Sequence, residues 1–213
     1  MKGKYVIFDL DDTLMYEIDY LESAYREIAS LLDEHNKDHL YQDMITWYYE
    51  NKDVFGLLEE KYSRAKIELL DIYRNHFPVV KIGKDVREVF NYIIQNSYKL
   101  GLISDGRSVT QRNKLKALDI EDFFDKIIIS EEFGSTKPDL RNFEIFMDNE
   151  NFEYFYIGDN TKKDFIAPNK LGWVTIALKD AGKNIHKQDF DVTQEHKPQF
   201  IVNSLKEIVS LIN

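Results

Sequence analysis

Three carboxylates, Asp9, Asp11 and Asp12, stand where a short apolar run, Tyr5-Val6-Ile7-Phe8, comes to an end. Packing gives an apolar strand little reason to end in Asp-Leu-Asp-Asp. Clustered carboxylates repel one another and cost about several kcal/mol when desolvated without a partner. Two kinds of partner compensate such charge: a divalent cation held by oxygen ligands, or amide and ammonium donors gathered around a phosphate. Asp9 and Asp11 are two residues apart, so near the end of an extended segment both can turn to one side. The segment reads as a strand tip that holds a metal ion and offers a carboxylate for chemistry.

Four further groups share that position at the end of an apolar run. Leu102-Ile103-Ser104-Asp105-Gly106 places a hydroxyl at a strand tip, followed by a glycine that lets backbone N–H groups approach a ligand. Thr136-Lys137-Pro138-Asp139 presents a lysine that the following proline biases toward extended chain. Tyr156-Ile157-Gly158-Asp159-Asn160 ends in an acid after a glycine, and Asp164 follows at the start of an expected helix. Each has a bland reading. Ser104 alone is a strand-end cap, Lys137 a solvated lysine, and Asp164 a first-turn acid favoured by the helix dipole.

The elements that must position these groups alternate short apolar runs with amphipathic stretches, the pattern of βα units around a parallel sheet. Strands are expected at Tyr5–Leu10, Lys99–Ser104, Lys126–Ser130, Tyr154–Gly158, Trp173–Leu178 and Phe200–Val202. Helices are expected at Val86–Gln95, at Val109–Leu118 with Ser108 as N-cap, at Leu140–Met147, Lys163–Leu171 and Ser204–Ile212. The fold class is α/β, a Rossmann-like doubly wound parallel sheet, and ligands of such sheets bind outside the carboxyl ends of the strands. Residues 15–82 depart from the pattern. They read as all helical, over Ile18–Leu32, Leu40–Tyr49 and Leu57–Tyr73, with a Pro- and Gly-marked re-entry at Phe77–Gly83. That block is expected to be a lid inserted into a core made of residues 1–14 and 83–213. The polar stretch Lys179–Gln199 gives no readable pattern.

The chain has 213 residues, 43% hydrophobic and 31% charged, enough for one core with an insertion. It lacks cysteine, which excludes disulfides, thiolate nucleophiles and zinc–thiolate sites and agrees with a cytoplasmic setting. Only a few apolar residues precede Asp9, too few for a signal peptide or a membrane span. A net charge of −10 makes nucleic acid a poor partner, though a small anionic substrate remains open because a metal ion dominates its local field. His35 and His39 have helical metal-ligand spacing but read as a polar surface. Nothing in the sequence signals an oligomeric state.

The order Asp-x-Asp-x-Thr, then Ser, then Lys-Pro, then Gly-Asp with a later Asp resembles the haloacid-dehalogenase-like hydrolase superfamily. The motifs span residues 5–14 and 99–178, and a helical block after the first strand is similar to that family's helical cap. The resemblance implies a phosphatase of a small phosphorylated metabolite, such as a nucleotide or sugar phosphate. Asp9 would be the nucleophile that forms an aspartyl-phosphate, and Asp11 the general acid and base. Mg2+ would be held by Asp9, Asp159 and the Asp11 backbone carbonyl. Ser104 with the Asp105 and Gly106 backbone, together with Lys137, would bind phosphate. Thr13, Asn160 and Asp164 would support them, and Asp12 would shape the loop.

Asp11 separates chemistries within the superfamily, because a displaced halide needs no proton and a phosphate ester does. Lys52, Lys61 and Lys66 read as solvated faces, against Schiff-base phosphonate cleavage. A phosphomutase uses the same residues. A phosphorylated receiver lacks reason for the helical insertion, and a silent phosphate-binding protein would not fill every chemical position. The aromatic cap residues Tyr16, Tyr20, Tyr25, Trp47, Tyr48, Tyr49, Phe55 and Tyr62 are expected mainly to pack helices together.

Overall fold

The structure, a computed structural model, describes residues 3–147 and 151–213. Met1, Lys2 and residues 148–150, which fall within the expected core bounds, lie outside the described residues. The apolar runs form six strands: β1 (Gly3–Phe8), β2 (Lys99–Ser104), β3 (Lys126–Ile129), β4 (Phe152–Gly158), β5 (Val174–Leu178) and β6 (Phe200–Val202). They make one sheet in the order β3-β2-β1-β4-β5-β6, with every neighbouring pair parallel. Parallel strands covered on both faces need apolar residues on both, which is why β1 and β4 read as continuous runs and not as alternation. Along β1, Val6 and Phe8 enter one core layer while Tyr5 and Ile7 enter the other.

The order reverses at β1, which pairs with β2 on one side and β4 on the other. A crevice opens at such a switch point beyond the strands' carboxyl ends. Asp9, Ser104 and Asp159 fall there because each is the last residue of its strand or the next one after it.

Helices α1 (Glu17–Leu32), α2 (Lys37–Tyr49), α3 (Val54–Tyr62) and α4 (Lys66–Asn75) lie between β1 and β2. They bury their own apolar cluster, which includes Leu21, Tyr25, Ile28, Leu40, Met44, Leu58 and Leu69. The stretch expected as one helix over Leu57–Tyr73 is two. Ser63 ends α3 in the left-handed region (φ 52°), and a new helix starts at Lys66. Tyr25, Phe55 and Tyr73 meet edge to face or tilted, so these rings do serve packing, whereas Tyr49 is exposed. Lys52, Lys61 and Lys66 pair with acids at the surface.

The chain re-enters the core through α5 (Lys84–Gln95), then α6 (Ser108–Leu118), α7 (Ser130–Phe133), α8 (Arg141–Glu144), α9 (Ile166–Lys170) and α10 (Ile208–Leu211). Several are shorter than the periodicity predicts. The expected N-cap role of Ser108 is not seen: Arg107 holds that position without a side-chain cap, and the Ser108 hydroxyl donates to Glu132 Oε1 (2.6 Å). Ser204 and Glu207 form a capping box ahead of α10. No helix among the described residues is long and apolar enough to cross a membrane.

Candidate active site

Asp9 is the first residue beyond β1, and its N–H still pairs with the Ile157 carbonyl on β4 (2.8 Å). That bond fixes its carboxyl at the crevice mouth. Lys137 Nζ donates to Asp9 Oδ1 (2.6 Å) and pairs with Asp164 Oδ1 (2.8 Å), and all three side chains are almost wholly buried. The Tyr156 hydroxyl accepts from Lys137 (3.2 Å) and donates to Asp164 Oδ1 (3.4 Å). Burial alone would lower Lys137, but Asp164 and Asp9 override it and hold the ammonium well above its ordinary value.

Asp164 works on the loop after β4. Its Oδ2 accepts the N–H groups of Asp159 (3.1 Å) and Asn160 (2.8 Å). A Cβ on Gly158 would fall 2.5 Å from that oxygen, so only glycine admits the carboxylate so close. Asn160 Oδ1 accepts from Lys162 N–H (3.0 Å) within the same loop.

The carboxylates of Asp9, Asp159 and Asp164 place oxygens within 4.8 Å of one another. Both Asp164 oxygens already have partners, which leaves Asp9 and Asp159 as the donors a cation could use. Burial first, then Asp164 and Asp9, push Asp159 up to about 9; burial and Asp164 push Asp9 up to about 7 despite Lys137. The cluster is short of positive charge, and its oxygen donors suit a hard divalent cation.

Asp12 and Thr13 belong to the turn that follows. Asp12 adopts the left-handed conformation (φ 56°) and accepts N–H bonds from Glu17 (2.9 Å) and Ile185 (3.1 Å). Its carboxylate therefore shapes the loop, starting α1 and tying down a distant segment. Thr13 Oγ1 is buried with no hydrogen-bond partner among the described residues.

Asp11 faces elsewhere, toward α6. Lys114 Nζ pairs with Asp11 Oδ1 (2.7 Å), and Gln111 Nε2 donates to Asp11 Oδ2 (2.8 Å) and to Ser104 Oγ (2.5 Å). Ser104 is thus buried beside Asp11. Asp105 is not: its carboxylate accepts from Lys137 N–H (3.0 Å) and Lys163 Nζ (2.9 Å). Gly106 (φ 145°) gives its N–H to Ser130 Oγ (2.9 Å). Glu17 completes this side, its carboxyl pushed up to about 7 by burial and by Asp11, against Lys114.

Sequence reasoning passed over Gln111, Lys114, Glu17, Tyr156 and Lys163, and over Asn184 and Gln188 in the unreadable stretch. Asn184 Nδ2 donates to Asp159 Oδ2 (2.9 Å), and Gln188 Nε2 donates to the carbonyls of Asp159 (2.9 Å) and Leu178 (2.7 Å). The one available signal was the i, i+3 spacing of Gln111 and Lys114 on a helix opening just after Ser104, which puts both on one face. Arg112, on the same helix, pairs with Glu121 (2.8 Å) and Glu132 (2.6 Å). His35 and His39 lie at the surface.

The family model described as haloacid dehalogenase-like hydrolase matches residues 6–178. A protein of Methanocaldococcus jannaschii named glyceraldehyde 3-phosphate phosphatase is 28% identical, over 98% of this chain and 96% of its own. The pyrophosphatase PpaX of Bacillus mycoides is 23% identical, over 100% of this chain and 98% of its own. Among solved structures, a phosphatase from Thermococcus onnurineus shares the fold with a TM-score of 0.63 at 18% identity, covering 99% of this chain and 98% of that one.

Proposed function

The chain belongs to the haloacid dehalogenase-like hydrolases, and on that premise we propose that it is a magnesium-dependent phosphatase of a small phosphorylated metabolite, working through an aspartyl-phosphate on Asp9. The observation that carries this reading is the separation of two carboxylates on one loop. Lys137 pairs with Asp9 (2.6 Å) and Lys114 with Asp11 (2.7 Å), so the two acids stand in separate surroundings on one loop. A dehalogenase needs only the first; expelling an alkoxide needs a proton donor, and Asp11 is that donor.

In the forward step an Asp9 oxygen attacks phosphorus, the ester P–O bond breaks, and the leaving oxygen takes its proton from Asp11. In the second step Asp11 takes a proton from water, whose oxygen attacks phosphorus, releasing inorganic phosphate and the free Asp9 carboxylate. Ser104 and Lys137 are the groups that meet phosphate oxygens, and Lys137 offsets charge that grows in the transition state. Asp9, Asp159 and the Asp11 carbonyl would hold magnesium, which when bound neutralises phosphate oxygens and the clustered carboxylates. Asp164 keeps Lys137 ionised and the Asp159 loop shut. Helices α1–α4, within residues 15–82, act as the cap that covers the leaving group. The relative named for glyceraldehyde 3-phosphate supports a sugar phosphate as substrate. The compartment is the cytoplasm, in keeping with a chain that has no cysteine.

The test is phosphate release from para-nitrophenyl phosphate and from a panel of nucleotides and sugar phosphates with magnesium. Turnover is expected in the wild type, and Asp9→Asn should reduce it by roughly a thousandfold or more. Full activity of that variant removes Asp9 as nucleophile.

A further inference from the structure

Lys137 reaches Asp9, yet no strand carries it there. It lies past the end of β3, in the loop after α7, whereas Asp9, Ser104 and Asp159 stand at strand ends or next to them. A lysine stem is flexible, so the place of its backbone decides where the ammonium can settle. The ammonium end is held by Asp9, Asp164 and the Tyr156 hydroxyl. The backbone end is held by Asp105, whose Oδ1 accepts the Lys137 N–H (3.0 Å).

The second oxygen of Asp105 has a partner from another direction. Lys163 Nζ donates to Oδ2 (2.9 Å) and comes from the loop that carries Asp159 and Asp164. That loop is itself folded tightly: the Lys163 N–H donates to the Asn160 carbonyl (3.1 Å), and Asp164 Oδ2 accepts from Asp159 and Asn160. Asp105 directly follows Ser104, so its carboxylate joins three loops, those of the hydroxyl, the lysine and the acid pair. The loop after β2 is also sewn to α7, through Gly106 N–H to Ser130 Oγ (2.9 Å) and Ser108 N–H to Glu131 Oε2 (2.7 Å). Those bonds end before the chain reaches Lys137.

The charge on Asp105 matters to this arrangement. Its side chain is 20% exposed and that of Lys163 34%, so the pair is partly shielded from water. Burial, then Lys137, would lower the Lys163 ammonium, but Asp9, Asp164 and Asp105 hold it above its ordinary value. A charged acceptor binds an amide N–H more strongly than a neutral one. An amide in place of Asp105 could still accept the Lys137 N–H with its oxygen. Its NH2 group would then face the Lys163 ammonium, donor against donor.

We propose that Asp105 is a positioning residue that fixes the backbone of Lys137, and with it the ammonium at Asp9, while Lys163 holds the Asp105 carboxylate in that orientation. This rests on the phosphatase reading, in which Lys137 offsets charge that grows at phosphorus, and it gives Asp105 a part that needs no contact with substrate. A displaced Lys137 weakens the transition state more than the bound substrate. The fault therefore appears in kcat and spares KM.

The experiment follows para-nitrophenyl phosphate hydrolysis with magnesium, and inhibition by orthovanadate and by inorganic phosphate. Orthovanadate takes up a five-coordinate geometry like that of the transition state, whereas inorganic phosphate is the product. Asp105→Ala should lower kcat roughly thirtyfold and Asp105→Asn about tenfold, with KM within about threefold of wild type. Orthovanadate binding should weaken by a similar factor and phosphate binding by less than about threefold. Lys163→Met should lower kcat about tenfold alone, but less than about threefold when added to Asp105→Asn, because the two act through one contact. Thermal melts identify a variant that does not fold. If Asp105→Ala is lost in that way, Asp105→Asn and its cycle with Lys163→Met decide the matter. Wild-type kcat in the Asp105 variants overturns the proposal, as does full additivity in the double variant. An equal loss of vanadate and phosphate binding also overturns it, by making Asp105 a contact of bound phosphate. Such outcomes leave the phosphatase reading standing, whereas no release by the wild type removes that reading and the positioning role with it.

Discussion

Two halves of the crevice are built on opposite principles. On the β1–β4 side, Asp9, Lys137, Asp164 and Tyr156 form a closed network of buried groups whose partners come from strands and from the turns next to them. On the Asp11 side, the partners come from a helix, α6, and from the first turn of α1, and they sit where the helical block meets the core. In the proposed mechanism the first half carries the displacement at phosphorus. In the same mechanism the second lies on the side of the proton donor, Asp11. The groups proposed to act at phosphorus thus hang on the sheet, whereas those around Asp11 depend on how the helices dock.

The harshest way to break that contrast is Lys137→Met. The lysine pairs with both Asp9 and Asp164, and removing one partner of a buried ion pair typically costs about 3–5 kcal/mol. Both folding stability and turnover should collapse, whatever the substrate. A variant that keeps its melting temperature and loses activity only on selected substrates would erase the distinction between the two halves. Lys114→Met is the counterpart on the other half; it removes the buried partner of Asp11, so a stability loss of the same kind is expected there.

Metal removal gives a second, smaller test. Without a cation the folded-state values of Asp9 and Asp159 stand near 7 and 9, raised from an ordinary 3.8 chiefly by burial. A carboxyl raised on folding binds its proton more tightly in the native state than in the unfolded one. Its contribution is therefore complete at low pH and is lost as pH climbs from about 4 toward the raised value. Chelated protein should lose stability between pH 5 and 9, by on the order of 1 kcal/mol per pH unit. Added magnesium should restore most at the alkaline end, where both ligands are ionised. Thermal melts across that range with and without magnesium check it. A chelated protein whose melting temperature is flat or rises with pH would mean that Lys137 alone already compensates the cluster.

What could be read from the sequence divides along the same line. Asp9, Ser104 and Asp159 lie at the ends of apolar runs, and parallel strands turn linear order into a row of tips at one edge of the sheet, while Lys137 comes from the loop after α7. That placement needs no knowledge of side-chain contacts. Lys114 and Gln111 lie inside a helix of mixed composition, where burial is decided by how α4 docks on α6, a tertiary fact without a local pattern. The Asp105 carboxylate accepts from the Lys137 amide and from Lys163, contacts that its place beside Ser104 does not announce. The split between α3 and α4 was hidden because Ser63 can take the left-handed conformation without a glycine to announce it.

The stretch 179–199 is the sharpest case, and it yields the smallest and most specific prediction. Asp180 Oδ1 accepts three backbone N–H groups in succession, from Gly182 (2.7 Å), Lys183 (2.8 Å) and Asn184 (3.0 Å). Burial would raise its carboxyl, but those bonds outweigh it and hold the value low. The turn so formed carries Asn184 to Asp159 Oδ2 and the Ile185 N–H to Asp12, while Lys183 lies over the Tyr16 ring. A polar, aperiodic run is thus the strap that braces one carboxylate on each half of the crevice. Asp180→Ala should cost about 1–2 kcal/mol of stability, the worth of an accepting carboxylate in a turn. Through Asn184 it should also raise the magnesium concentration needed for half-maximal activity about tenfold, while turnover at saturating magnesium changes little. Asn184→Ala should reproduce the magnesium effect with a smaller loss of stability. If Asp180→Ala lowers only the melting temperature and leaves the magnesium requirement where it was, the strap steadies the fold and has no hold on the Asp159 carboxylate.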